Sequence, residues 1–449
     1  MKNLLKKLLP KSFLKLYHKT LALFSAFVYG FPSDKLIVIG ITGTKGKSST
    51  SNLLVKILEE AGFKVGLSST ICFQIAEKEW INDKKMTMLG RFALQKMLRQ
   101  MVMAGCKYAV IETSSEGIAQ YRHLGINYDV VLFTNLTPEH LESHGGFENY
   151  KKAKGKLFSH LTQNKHKIID NKKVEKVIIA NLDDSNAGYF LSFQADKKFG
   201  YKIITQENLF QLDSLISASD IRLNSDGAVF SLDSHLFCTN LLGMFNVYNC
   251  LAAITVAESQ NIDFETSLSA LKKVKVIPGR MEFINRGQNF KFIVDYAHEP
   301  ASLNEMYRTL LDSSILHTDS KIIHILGSAG GGRDKSRREV LGKIAGEKAD
   351  IVIITNEDPY DDDPNEIIEQ VALGAISEGK VLEKDLFKVF DRRQAISRAI
   401  GMALANDIVV ITGKGSEQAI IVTNSQALPW DDRKVAGEEL EKFLNQKKV

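Results

Sequence analysis

Short apolar runs punctuated by polar or glycine-rich turns recur along the chain from residue 36 and alternate with stretches of helical period. Leu36-Ile37-Val38-Ile39, Tyr108-Ala109-Val110-Ile111, Val130-Val131-Leu132-Phe133 and Val177-Ile178-Ile179-Ala180 lack any apolar–polar alternation. Such runs are strands buried on both faces, the mark of a parallel sheet covered by helices. A second series follows, with Phe292-Ile293-Val294, Ile322-Ile323-His324-Ile325-Leu326, Ile351-Val352-Ile353-Ile354 and Ile408-Val409-Val410-Ile411. The order of elements predicts an α/β protein of doubly wound type. Residues 200–240 are more polar and β-like, an antiparallel appendage to the first series. The break Val276-Ile277-Pro278-Gly279-Arg280 divides the two series. Three regions are therefore expected: a basic segment 1–35, a central domain 36–279 and a C-terminal domain 280–449.

Each strand of the second series ends in a polar or glycine-rich turn: Asp295-Tyr296-Ala297-His298, Gly327 to Gly332, Asn356-Glu357-Asp358 and Gly413-Lys414-Gly415. Open α/β sheets bind ligands beyond the carboxyl ends of their strands, so these four turns are expected around one site.

Charge changes the picture at the N-terminus. The net charge is +5, yet Lys2, Lys6, Lys7, Lys11, Lys15 and Lys19 precede the first acidic residue, Asp34, leaving the remainder near −1. The basic balance is thus local, and no nucleic-acid partner is expected. Residues 1–31 also carry Leu4, Leu5, Leu8, Leu9, Phe13, Leu14, Leu16 and Tyr17. The apolar run Leu21 to Phe31 is shorter than the roughly 20 residues that span a bilayer, and no secretory cleavage site is evident. Two readings stand: a short helix packed on the central domain, or an amphipathic segment lying on the anionic inner membrane surface. The four cysteines are scattered, which argues against disulfides or a zinc site and fits a reducing cytoplasm. A cytoplasmic location is expected, with membrane association open.

The strongest local motif is Gly40-Ile41-Thr42-Gly43-Thr44-Lys45-Gly46-Lys47-Ser48-Ser49-Thr50, set between a strand and the helical pattern Ser51 to Leu58. Glycines let backbone N–H groups converge on one anion, and the helix start adds positive potential. Lys47 suits terminal phosphates and Ser48 suits Mg²⁺. Ile41 stands where G-x-x-x-x-G-K-[ST] places its first glycine. Glu112, at the end of a buried strand, fits either a Mg²⁺ ligand or a helix-capping region with Ser114 and Ser115. His140 fits a metal ligand or a loop histidine, and by composition Tyr150 to Phe158 is an exposed basic helix.

Taken in order, Gly43 to Ser48, Glu112-Thr113-Ser114-Ser115, Thr134-Asn135-Leu136 with His140, Ala153-Lys154, Gly243 to Asn249, Pro278 to Glu282 and Asp295 to His298 resemble the Mur ligase family over roughly residues 36–449. Gly332 to Lys335, Asp391 to Ile396, Gly413 to Glu417 and Pro429 to Arg433 point to the branch that adds the third residue of the peptide. The resemblance implies a central P-loop ATPase domain and a C-terminal Rossmann-like ligase domain. It implies ATP and Mg²⁺ as cofactors, and a muramoyl-peptide acceptor and a free amino acid as partners. The implied reaction is ADP-forming amide synthesis through an acyl phosphate, in peptidoglycan precursor synthesis.

The resemblance assigns catalytic work to Lys47, Glu112, His140, Lys154 and Arg280. ATP would meet Gly43, Thr44, Lys45, Gly46, Lys47, Ser48, Ser49, Asn246, Asn249, Arg280, Asp295 and His298. Metal would be held by Ser48, Glu112, His140 and a carbamylated Lys154. The acceptor would meet Thr87, Ser114, Gln120 and Arg122, and the amino acid Arg333, Glu357, Asp358, Gly413 and Glu417.

Two departures stand out. Members that add meso-diaminopimelate carry Asp-Asn-Pro-Arg where this chain has Glu357-Asp358-Pro359-Tyr360, followed by Asp361, Asp362 and Asp363. An acidic edge without the arginine favours L-lysine or another diamino acid lacking a distal carboxylate. The family's uridine-binding domain also has no counterpart among the 35 residues ahead of Leu36, so the carrier on the acceptor stays open: UDP, lipid or none. Folylpolyglutamate and poly-γ-glutamate synthetases share this core, but the acids at 357–358 and 361–363 oppose an incoming glutamate. An ATP-binding regulatory subunit is the non-enzymatic alternative, disfavoured by the intact set Lys47, Glu112, His140, Lys154 and Arg280. The sequence assigns no oligomeric state.

Overall fold

The apolar runs fold as the buried strands their composition predicts. The protein is seen in a computed structural model that describes residues 11–138, 144–204, 210–312, 314–317 and 319–446. His140 lies outside the described residues. The chain divides into two compact units, one comprising residues 1–221, 229–238 and 245–274, the other 222–228, 239–244 and 275–449.

In the first unit, β1 (Ile37–Thr42) is buried at every position. The helix α1 (Lys11–Val28) precedes it and α2 (Lys47–Glu60) follows it. The succeeding strands are β2 (Val65–Ser68), β3 (Cys72–Ile75), β4 (Lys78–Ile81), β5 (Tyr108–Glu112), β6 (Val130–Phe133), β7 (Val177–Asn181) and β8 (Lys197–Lys202). Their order across the sheet is β8-β7-β6-β1-β5-β2-β3-β4, and three further strands between Ser214 and Thr239 extend the β8 edge. All neighbours from β8 to β2 are parallel, whereas β3 and β4 run antiparallel. β1 therefore sits between β5 and β6, with Ile39 opposite both Val110 and Val130. This central placing brings the turns after β1, β5 and β6 to one edge.

Register is fixed at the opposite end by a buried carboxylate. Asp129 Oδ2 accepts Val38 N at 2.9 Å, and the carboxylate takes Lys167 at 2.5 Å and Lys176 at 3.0 Å. Burial pulls the Lys167 pKa down to about 8 against the opposing pull of Asp129. On one face of the sheet Phe133 stacks on Phe190 at 3.9 Å, and Phe158 packs on Phe190 at 4.8 Å. Each such ring contributes roughly 2–3 kcal/mol by leaving water.

Helix α1 packs through small residues. Ala22, Ser25 and Ala26 are buried, and the close partner is Gly125, where any Cβ would lie 2.9 Å from Ala26 Cβ and 3.0 Å from Ala22 O. Its other face stays exposed, so the two readings of this segment do not exclude each other. Among the described residues no helix is long and apolar enough to cross a membrane.

In the second unit, β9 (Glu282–Phe283), β10 (Lys291–Val294), β11 (Ile322–Leu326), β12 (Ile351–Thr355), β13 (Leu386–Val389) and β14 (Ile408–Ile411) form one sheet. Its order is β9-β10-β14-β11-β12-β13, parallel except for β9. Two motifs singled out in the sequence serve this framework. Asp391 caps the helix Arg392–Met402 by accepting Gln394 N. Arg392 bonds both oxygens of Asp432 at 2.8 and 2.7 Å, and Trp430 Nε1 adds a bond to the same carboxylate.

Candidate active site

The turn after β1 is tied to the turn after β6. Thr44 N donates to Asn135 O at 2.8 Å, Lys45 N to Asn135 Oδ1 at 2.9 Å, and Thr134 Oγ1 to Lys45 O at 2.7 Å. A Cβ on Gly43 would lie 1.9 Å from Thr134 Oγ1, so only glycine fits. Gly46 has φ 80° and caps α2, leaving the first N–H groups of that helix free of intrahelical partners. A Cβ on Gly46 would meet Asn249 Oδ1 at 2.4 Å. Asn249 in turn binds Asn246 at 3.0 Å and Thr50 at 3.3 Å, which sets this pair beside the loop. Lys47 Nζ folds back onto Gly43 O at 3.1 Å and Thr44 O at 2.7 Å.

Ser48 and Glu112 meet directly, Oγ to Oε2 at 2.9 Å. Glu112 also accepts Thr70 N at 2.7 Å and Thr70 Oγ1 at 3.0 Å, and Thr70 Oγ1 pairs with Thr87 Oγ1 at 3.0 Å. Thr87 is thereby joined to the carboxylate through a residue the sequence reading did not single out. Lys154, which composition placed on an exposed helix, is buried at 1% exposure. Its Nζ donates to Gly43 O at 2.6 Å and lies 4.5 Å from the Tyr150 ring centroid. Tyr150 also approaches Thr44 Oγ1 at 3.1 Å.

Ser114 caps the short helix Ser115–Ala119 by accepting Gly117 N, as the capping reading expects. Arg122 donates to Gln120 Oε1 at 2.8 Å and to Met88 O, and burial lowers its pKa. Arg91 donates to Gln120 O. Among the described residues no three His, Cys, Asp or Glu side chains converge as a metal cluster. The donor pair that does form, a serine hydroxyl against a carboxylate at a phosphate loop, suits a hard cation such as Mg²⁺.

In the second unit the four strand-end turns do come together. A Cβ on Gly413 would lie 2.3 Å from Glu357 Oε2, one on Gly415 2.8 Å from Tyr296 Cβ, and one on Gly327 2.9 Å from Glu357 Cβ. The Arg280 guanidinium lies over the Tyr296 ring at 4.2 Å, and His298 Nδ1 is 2.9 Å from Tyr296 O. Asp295 accepts Met281 N and Ala297 N, both at 2.8 Å. Buried Lys414, given no role of its own within the turn the sequence placed at the site, bonds both oxygens of Asp358 at 2.9 Å and Glu417 at 2.7 Å. Arg333 is exposed and bonds Tyr360, with Glu357 close enough to act on its charge.

The acidic run after Tyr360 is committed elsewhere. Asp361 accepts Asn424 N at 2.8 Å, Asp362 pairs with Arg338 at 2.7 Å, and Asp363 caps the helix Pro364–Ser377. Asp362 is thus offset by a cation, while Asp361 and Asp363 keep their charge and are oriented by backbone N–H groups. Glu357 differs: it is buried, and its Oε2 has no hydrogen-bond partner. Burial raises its pKa against the opposing pull of Arg392.

A glycine loop and helix start on a parallel sheet, followed by a second α/β unit with a polar strand-end cluster, define a nucleotide-binding α/β enzyme. The Mur ligase middle domain matches residues 41–257, and the Mur ligase glutamate ligase domain matches residues 279–415. The chain is 36% identical to the UDP-N-acetylmuramyl-tripeptide synthetase of Roseiflexus sp. (strain RS-1), over 92% of this chain and 80% of that protein. It is 34% identical to the UDP-N-acetylmuramoyl-L-alanyl-D-glutamate–2,6-diaminopimelate ligase of Geobacillus kaustophilus (strain HTA426), over 93% of this chain and 81% of that protein. A solved 2,6-diaminopimelate ligase of the same name superposes with a TM-score of 0.60 at 28% identity, covering 91% of this chain and 79% of its own. The chain belongs to the Mur ligase family. It is an ATP-dependent, ADP-forming ligase of peptidoglycan precursor synthesis, with tripeptide-synthetase-type relatives.

Proposed function

We propose that the protein adds L-lysine, or a similar diamino acid without a distal carboxylate, to a UDP-N-acetylmuramoyl-L-alanyl-D-glutamate-type acceptor. The acceptor carboxylate attacks the γ-phosphorus of ATP, giving an acyl phosphate and ADP. The amino group of the incoming residue attacks the acyl carbon, and phosphate leaves as the tetrahedral adduct collapses to an amide. The loop Gly43 to Ser49 holds the phosphates through backbone N–H groups, and Lys47 turns from the loop carbonyls to the transferred group. Ser48 and Glu112 are the pair for Mg²⁺, with His140 and carbamylated Lys154 for a second ion. When bound, Mg²⁺ supplies positive charge that offsets the repulsion between triphosphate and carboxylate.

Asn246 and Asn249 beside the loop, with Arg280, Asp295 and His298 on the second unit, are proposed for the nucleotide. Thr87, Ser114, Gln120 and Arg122 are proposed for the acceptor. Arg333 takes the α-carboxylate of the amino acid, in a cluster with Glu357, Asp358, Gly413 and Glu417.

One observation carries the choice of amino acid: the unpartnered Glu357 carboxylate oxygen beside a Tyr360–Arg333 pair. It offers a buried site to a side-chain ammonium, while the guanidinium that would hold a distal carboxylate is replaced by a phenol. The test is phosphate release with UDP-linked muramoyl-dipeptide and each of L-lysine, L-ornithine and meso-diaminopimelate. Turnover with a basic amino acid is expected. Turnover with diaminopimelate alone rejects the specificity, and no turnover with any amino acid rejects the acceptor.

A further inference from the structure

We propose that the outward face of α1 is a docking surface for an anionic lipid bilayer. The face is continuous: Phe13, Leu16, Tyr17, Leu23, Phe24 and Phe27 recur at helical spacing and are all exposed, Leu16 at 62% and Phe27 at 68%. Phe92 of the helix Arg91–Met103 extends it, with its ring 6.2 Å from that of Phe24. An apolar face of this extent on a surface helix marks an interaction site.

The helix cannot roll to hide it. Its opposite face is locked by Ala22 and Ala26 against Gly125, where no Cβ fits. Nor is α1 long and apolar enough to cross a membrane. A helix fixed on one side and apolar on the other can lie in the interfacial plane.

Charge selects the occupant. Lys2, Lys6, Lys7, Lys11, Lys15 and Lys19 all precede the first acidic residue, Asp34. Lys15 and Lys19 are exposed one helical turn apart. A bilayer of anionic lipid presents an apolar interior under a negative surface, which complements both features at once. A second copy of the chain would set lysines against lysines across the same apolar face.

The test uses the full chain and vesicles of phosphatidylglycerol with phosphatidylcholine, against phosphatidylcholine alone. Co-sedimentation with the anionic vesicles should exceed that with neutral ones by about tenfold or more at low salt, and fall as salt rises. Leu16→Glu/Phe27→Glu should abolish it without moving the melting temperature. Should that variant fail to fold, Lys15→Gln/Lys19→Gln, with the apolar face intact, must still lose several-fold in binding. Phe27→Trp should show a blue-shifted emission on anionic vesicles. Equal or absent binding to both vesicle types overturns the proposal. So does light scattering showing a dimer that Leu16→Glu/Phe27→Glu converts to monomer, which would make the face a contact between copies.

Discussion

Lys154 Nζ donates to Gly43 O across 2.6 Å, so a buried ammonium touches the first glycine of the phosphate loop. For that cation to become the proposed carbamate, the ammonium first loses a proton, and the amine then adds CO₂ and releases a second. Removing CO₂ and bicarbonate from the assay should slow ADP formation, and bicarbonate should restore it. Lys154→Met should lose about a hundredfold in rate and ignore bicarbonate. A wild-type rate indifferent to CO₂ would show that Lys154 works as an ammonium.

Lys47 and Glu112 should separate by kinetics. On its proposed role, Lys47→Ala removes a charge that acts on the transferred phosphoryl group, so kcat should drop on the order of 10²–10³-fold. Glu112→Gln keeps the hydrogen-bonding shape toward Ser48 and Thr70 but loses the charge. Its main effect should be a Mg²⁺ requirement raised about tenfold, read from a Mg²⁺ titration of phosphate release. An unchanged Mg²⁺ midpoint would remove Glu112 from the metal site.

Tyr360 should govern the choice of amino acid. It sits at φ 54°, with its ring against Gly331 and its hydroxyl toward Arg333. Tyr360→Arg supplies a guanidinium for a distal carboxylate, so the ratio of kcat/KM for diaminopimelate over lysine should rise about tenfold or more. No shift in that ratio would place specificity elsewhere in the cluster.

Stability should fall below neutral pH because of buried histidines. His324 is fully buried between Tyr307 OH at 2.7 Å and Thr412 Oγ1 at 2.9 Å. Burial, aided by Arg392, holds its pKa down to about 3. The folded protein keeps it neutral while the unfolded chain protonates it near pH 6.5. The unfolded state thus binds more protons between those values, and stability drops as pH falls through that window. By pH 5 the loss is about 2 kcal/mol for this histidine. Urea unfolding at pH 7 and pH 5 measures it, and His324→Gln should flatten the slope. His123 in the other unit, whose pKa burial also lowers to about 3, should add a slope of the same sign.

The strands were legible because apolar runs without alternation have few other solutions, and the phosphate loop because glycines and a helix start announce themselves. Burial of Lys154 was not legible from composition, since a lysine among lysines reads as solvated. Its burial is a tertiary matter: Nζ meets Gly43 O, 111 positions away in sequence, and the ring of Tyr150. The roles of Thr70 and Lys414 were not legible for a related reason: they arise from partners distant in sequence, Glu112 and Asp358. The separate roles within the run Asp361 to Asp363 were not legible either. Sequence shows a cluster of negative charge, while the fold gives each carboxylate a separate donor.

Gly46 packs under Asn249, and Thr50 bonds that same asparagine across 199 positions of sequence. The nucleotide cradle encoded near the start of the chain is therefore unfinished until the ribosome has made more than half of the protein. ATP added during synthesis should protect only nascent chains that extend past residue 249 from proteolysis, which makes nucleotide binding a reporter of completed folding rather than an early guide to it.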